Sequence, residues 1–125
     1  MQRAIPPDLA HVRGQGRAGP GQHEAVGDLH LAADDFAGAL AEYARALEEI
    51  GPAAPLERAR LLLLIAQVRT SSGEYEEALQ AVAEAREISR VLQDRRLNAR
   101  VAARLAHVVV QQGRYRRGLR YAHYA

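Results

Sequence analysis

A seven-residue phrase recurs three times along this chain at a nearly constant interval. The copies are, in chain order, DDFAGAL from residue 34, GEYEEAL from residue 73 and GRYRRGL from residue 113. Self-similarity at a period of about 20 to 50 residues is typical of structural units that stack one on the next. We therefore expect a repeat protein, a class that commonly offers an extended concave surface for binding other molecules.

The composition favours helices that pack closely together. Of the 125 residues, 25 are alanine, 5% are aromatic and 48% are hydrophobic, which is enough apolar material for the core of one domain. Alanine is the strongest helix former and the smallest side chain at a helix contact. The sequence thus predicts an all-α domain.

The cysteine content and the apolar segments indicate where the chain works. Cysteine is absent, which excludes disulfides and thiolate metal sites and fits a reducing compartment. The first residues lack the apolar run of a signal peptide, and the longest apolar stretch, residues 61–66, is far too short to span a membrane. We expect a cytoplasmic protein that holds no cofactor or metal and does not enter a membrane.

Charge is divided unevenly along the sequence. Residues 21–94 hold 14 acidic residues and 6 arginines, whereas residues 95–125 hold 8 arginines and no acidic residue. The net charge of +2 therefore hides an acidic front, residues 21–94, and a basic tail, residues 95–125. All 17 basic residues are arginine, a bias that a GC-rich genome explains.

The chain divides into an arm and a helical region. Residues 1–21 are dense in Gly and Pro and show no apolar periodicity, so we expect a flexible arm over 1–21 and a helical domain over 22–125. Apolar residues spaced by three and four predict helices over 22–33, 36–50, 56–72, 75–92, 96–112 and 115–125. These helices would form two complete pairs and a truncated third pair.

Each copy of the phrase begins at a predicted turn inside a helix pair. Asp34, Gly73 and Gly113 stand just before the second helix of their pair, where Gly and Asp tolerate the left-handed backbone of a sharp turn. Gly51 ends the first pair, since glycine suits the position after a helix. Asp94 is the predicted cap of the fifth helix.

The spacing of small and large residues resembles the tetratricopeptide repeat (TPR). That family places an aromatic, a Leu-Gly pair and a second aromatic on the first helix, and Ala, an aromatic and Ala on the second. The matching residues are His23, Val26, Gly27, His30, Ala39, Tyr43 and Ala46 in the first unit, Leu62, Ile65, Ala66, Arg69, Ala78, Val82 and Ala85 in the second, and Ala102, Leu105, Ala106, Val109, Gly118, Ala122 and Ala125 in the third.

The match departs from the standard pattern in two ways. The first large aromatic is missing from every unit, and the period exceeds the usual length of about 34 residues. The chain is therefore more similar to the long-period tetratricopeptide arrays of bacterial signalling ATPases, multidomain kinases and regulators. The last unit stops at its aligned Ala125 with no polar capping helix behind it, which solenoid ends usually carry. Either the chain is a fragment or its uncovered last helix docks on another copy.

The resemblance implies a right-handed α-solenoid of antiparallel helix pairs whose first helices line a concave groove. On that geometry the groove residues are Glu24, Asp28, Leu31, Arg60, Leu63, Gln67, Thr70, Arg100, Ala103, Arg104, His107 and Gln111. Arg100 and Arg104 are four residues apart on one helix face, and the Arg fork binds a carboxylate at two points. This pair suits a carboxylate or an acidic peptide.

One subgroup of the family grips a peptide's terminal carboxylate with basic residues and asparagine. We do not expect that clamp here, because Glu24 and Asp28 reverse the charge that it needs in the first unit. A partner with a mixed pattern of charge fits the groove better.

The sequence predicts no catalytic or metal site. His23 and His30 are seven residues apart, whereas a pair of metal ligands on a helix prefers a spacing of about three or four. Both histidines take positions that the family fills with aromatics, which favours packing. Adjacent acids such as Glu48 and Glu49 point about 100° apart on a helix and do not converge as an acid–base pair.

These observations predict a non-catalytic scaffold that binds a protein or peptide through the groove or the outer face. Three alternatives stay open. The chain could be a sensory or regulatory segment of a larger signalling protein. It could bind nucleic acid through the arginines and tyrosines of the basic tail, a mixture that single-stranded nucleic acid binders use. It could also self-assemble, with the acidic front of one copy against the basic tail of the next.

Overall fold

The computed structural model describes residues 19–124 and, within them, contains five α-helices and no β-strand. The helices are α1 (Pro20–Ala32), α2 (Phe36–Ile50), α3 (Pro55–Ser71), α4 (Tyr75–Leu92) and α5 (Arg95–Tyr124). The prediction of an all-α fold is confirmed for this part of the chain. Most of the predicted arm, residues 1–18, lies outside the described residues, and its last three residues are the N-cap Gly19 and the first two residues of α1.

The predicted turn at Gly113 is wrong. α5 continues without a break for 30 residues, so the helices predicted over 96–112 and 115–125 are one helix and the third unit is not a helix pair. Val108 and Tyr115 are seven residues apart, which is about two turns, and they therefore lie on the same side of a continuous helix. Continuing α5 places the ring of Tyr115 against that of Tyr75, with 5.6 Å between the ring centroids.

The other predicted turns and caps are confirmed. Asp34 and Gly73 adopt φ angles of 60° and 80°, in the left-handed region that the sharp turns need, and Gly51 ends α2 with a φ of 68°. The carboxylate of Asp94 accepts a hydrogen bond of 2.9 Å from the backbone N–H of Leu97 and caps the start of α5. Short turns then force α1 against α2 and α3 against α4.

The helices pack as two pairs and a single helix. α1 lies on α2 and α3 on α4, while contacts of α2 with α3 join the pairs and α5 packs on both α4 and α3. The apolar residues spaced by three and four that predicted α2 and α4 are buried or half-buried, as such spacing requires. These residues are Phe36, Ala39, Leu40, Tyr43, Ala46, Leu47 and Ile50 on α2, and Tyr75, Ala78, Leu79, Val82, Ala85 and Ile88 on α4.

Helix α3 lies at the centre of the molecule. Its consecutive residues Leu61, Leu62 and Leu63 are all buried, which one face of a helix cannot achieve against a single neighbour. Leu61 packs with the buried residues of α2, whereas Leu62 and Leu63 pack with those of α4 and α5. The core therefore consists of two clusters that meet in α3.

Helices α1 and α2 approach each other closely at Gly27. Gly27 is buried beneath the ring of Tyr43, and a Cβ at Gly27 would lie 2.6 Å from Cε1 of that ring. The prediction that small residues mark close helix contacts is confirmed at this position. No helix within residues 19–124 combines the length and the apolarity that crossing a lipid bilayer would require.

Candidate functional site

Two cavities that share Arg100 lie along α3 and α5. The first has a volume of about 330 Å³ and the second about 340 Å³. The first is lined by Leu56, Glu57, Arg60, Asp94, Arg96, Leu97 and Arg100. The second is lined by Leu63, Arg100, Ala103, Arg104 and His107. We call the surface formed by the two cavities the α3–α5 groove.

The spacing along α5 explains why its side chains converge on the groove. Arg100, Ala103, Arg104 and His107 are separated by three, one and three residues, which places them on one helix face. The opposite wall of the second cavity comes from Leu63 on α3. The wall therefore combines two guanidinium groups, an imidazole and an apolar floor.

Arg104 is the most deeply placed cation of this groove. Its Nη2 donates a long hydrogen bond of 3.4 Å to Oε1 of Gln67, while its buried Nε has no hydrogen-bond partner. Burial, and then the positive charge of Arg100, lowers the pKa of Arg104. A buried donor without an acceptor is costly, so an incoming anion would improve the surroundings of this side chain.

The charge of Arg100 and Arg104 is not balanced by the described part of the chain. No ion pair among residues 19–124 includes either side chain. Sequence accounts for this, because α5 carries no acidic residue of its own. The middle of the groove is consequently electropositive.

Arg60 lies further along the groove and differs from Arg100 because it is fully engaged. Its two terminal nitrogens donate hydrogen bonds of 2.6 and 2.7 Å to the carboxylate of Glu24, and one of them also donates to Glu57 at 3.0 Å. The Arg60 hydrogen bonds hold the pKa of Glu24 below its ordinary value, and Glu24 in turn raises the pKa of Arg60. The pair links α1 to α3 and neutralises the acidic end of the groove.

The remaining predicted groove residues have structural partners or lie apart from the cavities. The hydroxyl of Tyr43 donates a hydrogen bond to Asp28, and burial of the ring followed by this bond raises the pKa of Tyr43. Thr70 is buried, and its hydroxyl donates to the carbonyl of Ala66 at 2.7 Å. Gln111 is half-buried one turn beyond His107 and lines neither cavity.

Of the nine polar residues predicted for the groove, four line the two cavities, namely Arg60, Arg100, Arg104 and His107. Two more, Glu24 and Gln67, line neither cavity but accept hydrogen bonds from Arg60 and Arg104. Sequence reasoning missed five residues that line the first cavity, namely Leu56, Glu57, Asp94, Arg96 and Leu97. The four-residue spacing of Arg96 and Arg100 was the available signal for it.

The histidines of α1 make pairwise contacts with α2 and with the turn before it. Nδ1 of His23 lies 2.8 Å from Oε1 of Glu42, and this hydrogen bond lowers the pKa of Glu42. Nδ1 of His30 lies 2.8 Å from Oδ2 of Asp35, whose pKa is lowered first by the Gly38 N–H and then by His30. Among the residues that the structure describes, no three acidic, histidine or cysteine side chains gather in a metal-binding arrangement.

Comparison with protein-family models, with curated protein sequences and with solved structures finds no match to this chain. The functional reading of the groove therefore depends on its own geometry and charge.

Proposed function

We propose that this chain is a non-catalytic, tetratricopeptide-like interaction module that binds an acidic segment of another protein in the α3–α5 groove. Its helix pairs would continue as a right-handed solenoid. The observation that carries the proposal is the second cavity, where Arg100, Arg104 and His107 converge above Leu63 and no described carboxylate pairs with either arginine.

The chemistry of the cavity selects among possible ligands. Two guanidinium groups favour a carboxylate or another planar anion, because each can donate two parallel hydrogen bonds. The apolar floor of Leu63 and Ala103 favours a small hydrophobic side chain next to that anion. A peptide that alternates acidic and aliphatic residues satisfies both requirements.

The carboxylates at the Arg60 end of the groove restrict where an acidic residue of the ligand can bind. Glu24 and Glu57 already accept hydrogen bonds from Arg60, so the first cavity is closer to neutral than the second. We therefore expect the acidic residue of the ligand to bind beside Arg100 and Arg104. Charge complementarity of this kind contributes to specificity and association rate more than to raw affinity.

Binding of a defined peptide tests the proposal. The probe is a fluorescein-labelled Glu-Glu-Leu-Glu-Glu peptide, and its uncharged analogue is Gln-Gln-Leu-Gln-Gln. We expect fluorescence anisotropy to show saturable binding of the acidic peptide and at least about tenfold weaker binding of the analogue, since about 1.4 kcal/mol corresponds to tenfold. The double substitution Arg100→Gln with Arg104→Gln is expected to weaken binding of the acidic peptide by a similar factor.

A matched variant separates the groove from general basicity. Arg114→Gln with Arg117→Gln removes the same charge from the same helix at exposed positions outside the two cavities. We expect this variant to bind the acidic peptide within about threefold of the unsubstituted protein, because exposed charges outside the site act only at a distance. An equal loss in both double variants would contradict the groove as the site. Tighter binding of a thymidine oligonucleotide, with a steep loss in salt, would favour nucleic acid as the partner.

A further inference from the structure

Within residues 19–124, nothing covers the face of α5 that corresponds to the pairing face of α3. Repeat alignment matches Leu62 and Ala66 of α3 with Ala102 and Ala106 of α5. Leu62 and Ala66 are buried beneath α4, with 3% and 0% of their surface exposed, whereas Ala102 and Ala106 are exposed. Val109, on the same face one turn later, is 52% exposed. We call Ala102, Ala106 and Val109 the open face of α5.

Among the described residues, the last part of the same helix carries apolar side chains that stay largely exposed, although the ring of Tyr115 contacts that of Tyr75. Leu119 and Tyr115 are each 53% exposed, and Ala122 is exposed as well. Their counterparts in α4 are Leu79, Tyr75 and Val82, which belong to the core or pack against it. The segment 114–124, which we call the strap, therefore has the apolar stripe of a second helix without the first helix to hold it.

Gly113 separates the open face from the strap and corresponds to Gly73. Gly73 adopts a φ of 80° and turns the chain sharply between α3 and α4. Gly113 is helical, yet glycine in a helix interior costs about 1 kcal/mol relative to alanine and adopts the left-handed conformation freely. A turn there would cost less than at a residue with a Cβ, and it would exchange the Tyr75–Tyr115 contact for packing of the strap on the open face.

We propose that α5 is a two-state helix in which a turn at Gly113 closes the strap onto the open face of the same chain. Closure would bury Tyr115, Leu119 and Ala122 against Ala102, Ala106 and Val109, and it would repeat the packing seen between α3 and α4. The small residues of the open face permit the close approach that such packing needs, as Gly27 does beneath Tyr43.

The geometry of a straight α5 argues against a second copy as the cover. Ala102 and Ala122 are 20 residues apart, and at about 100° per residue they point in nearly opposite directions on a continuous helix. A second straight helix lying along α5 contacts one side of it and cannot cover the open face and the strap together. A turn at Gly113 removes this conflict.

A distance measurement across Gly113 tests the proposal in the full chain. The protein has no cysteine, so Ala99→Cys and Arg120→Cys give two defined sites for nitroxide labels. In the straight helix the labelled positions are about 31 Å apart, at 1.5 Å per residue, whereas closure brings them below about 20 Å, because packed helix axes lie about 8 to 10 Å apart. We expect pulsed electron paramagnetic resonance to show both distances, with at least about a tenth of the molecules closed.

Three comparisons make the result decisive. Gly113→Ala, which disfavours the turn, is expected to abolish the short distance. The label pair Ala99→Cys with Val110→Cys does not span Gly113 and should give one distance, of about 17 Å, in both backgrounds. A single distance of about 31 Å in the unsubstituted hinge would overturn the proposal. Loss of the short distance on mixing with excess unlabelled protein would overturn it too, since the contact would then join two chains.

Discussion

Gly27 shows how a single residue governs the spacing of two helices. Glycine in a helix interior normally costs about 1 kcal/mol relative to alanine, so its presence in α1 requires a compensating contact. That contact is the fully buried ring of Tyr43, which occupies the space where a side chain at position 27 would begin. Steric fit therefore decides the residue at this position, and helix propensity does not.

Gly27→Ala is expected to lower the free energy of unfolding by about 1 to 3 kcal/mol, because the added methyl group displaces the Tyr43 ring from a well-packed position. Gly118→Ala is the matched control, since no described atom beyond the adjoining backbone of its own helix lies within 4 Å of a Cβ at that glycine. It should raise stability by up to about 1 kcal/mol through helix propensity alone. Urea denaturation followed by circular dichroism measures both, and changes of the same sign would contradict the packing argument.

The Glu24–Arg60 pair leads to a prediction about pH. The folded-state pKa of Glu24 lies below its ordinary value of 4.5, so the pair stabilises the fold above that pH and loses its effect as the pH falls further. Glu24→Gln is expected to cost about 1 kcal/mol near neutral pH, with the difference vanishing in acid.

Glu49→Gln is the control for the carboxylate substitution, because Glu49 is exposed and belongs to no ion pair among the described residues. It should change stability by less than about 0.5 kcal/mol at any pH. Denaturation curves recorded from acid to neutral pH measure both variants. A cost of Glu24→Gln that does not depend on pH would show that the charge of Glu24 is not what stabilises the fold.

Part of the candidate site could be predicted from the sequence, residue by residue. Spacing alone places Arg100 and Arg104 on one face, and the structure sets both beside the same cavity. Sequence spacing could not show that Glu24 neutralises Arg60, because that contact joins residues 36 positions apart. Sequence spacing also placed Thr70 in the groove, whereas Thr70 is buried. Its hydroxyl donates a hydrogen bond to the Ala66 carbonyl of its own helix, so the side chain needs no contact with solvent or ligand.

A carboxylate caps the first turn of α5. The carboxylate of Asp94 accepts a hydrogen bond from the Leu97 N–H and satisfies a donor that the helix leaves free. Asp94→Ala is expected to cost about 1 kcal/mol, whereas Asp94→Asn, which keeps a capping oxygen, should cost much less. Thermal unfolding by circular dichroism compares the two, and equal losses would show that the cap oxygen is not the cause.

The helices also show why sequence reasoning succeeded for four elements and not for the fifth. Gly73 and Gly113 are the same turn-favouring residue at the same position of the repeated phrase. The turns predicted at Asp34 and Gly73 are correct because the helix after each turn packs against the helix before it. At Gly113 the apolar side of α5 stays in phase through Val108 and Tyr115, so a straight helix keeps its contact with Tyr75. The tertiary contact, which no local pattern encodes, decided the outcome.

At the scale of the whole molecule, the two halves of α5 differ in importance. Leu97, Val101 and Val108 are buried in the core, while every residue from 114 to 122 is exposed. A chain that ends at Gly113 is therefore expected to keep its stability to within about 1 kcal/mol, a margin that also covers a partly closed strap. A chain that ends at Asp94 should lose several kcal/mol, because three large apolar contacts are removed.

Urea denaturation of the two shortened chains measures this difference. A loss of several kcal/mol in the longer of the two would show that the residues after Gly113 stabilise the fold more than their exposure predicts. Equal stability of both would show that α5 does not contribute to the core.

The central place of α3 has a consequence for how the molecule comes apart. Proteins built from stacked units can unfold one unit at a time when each interface is weak. Here Leu61 belongs to one cluster and its neighbour Leu62 to the other, so both clusters contain residues of α3. Unfolding α3 from one cluster therefore also removes residues from the other. The two helix pairs should therefore unfold cooperatively, in a single all-or-none transition.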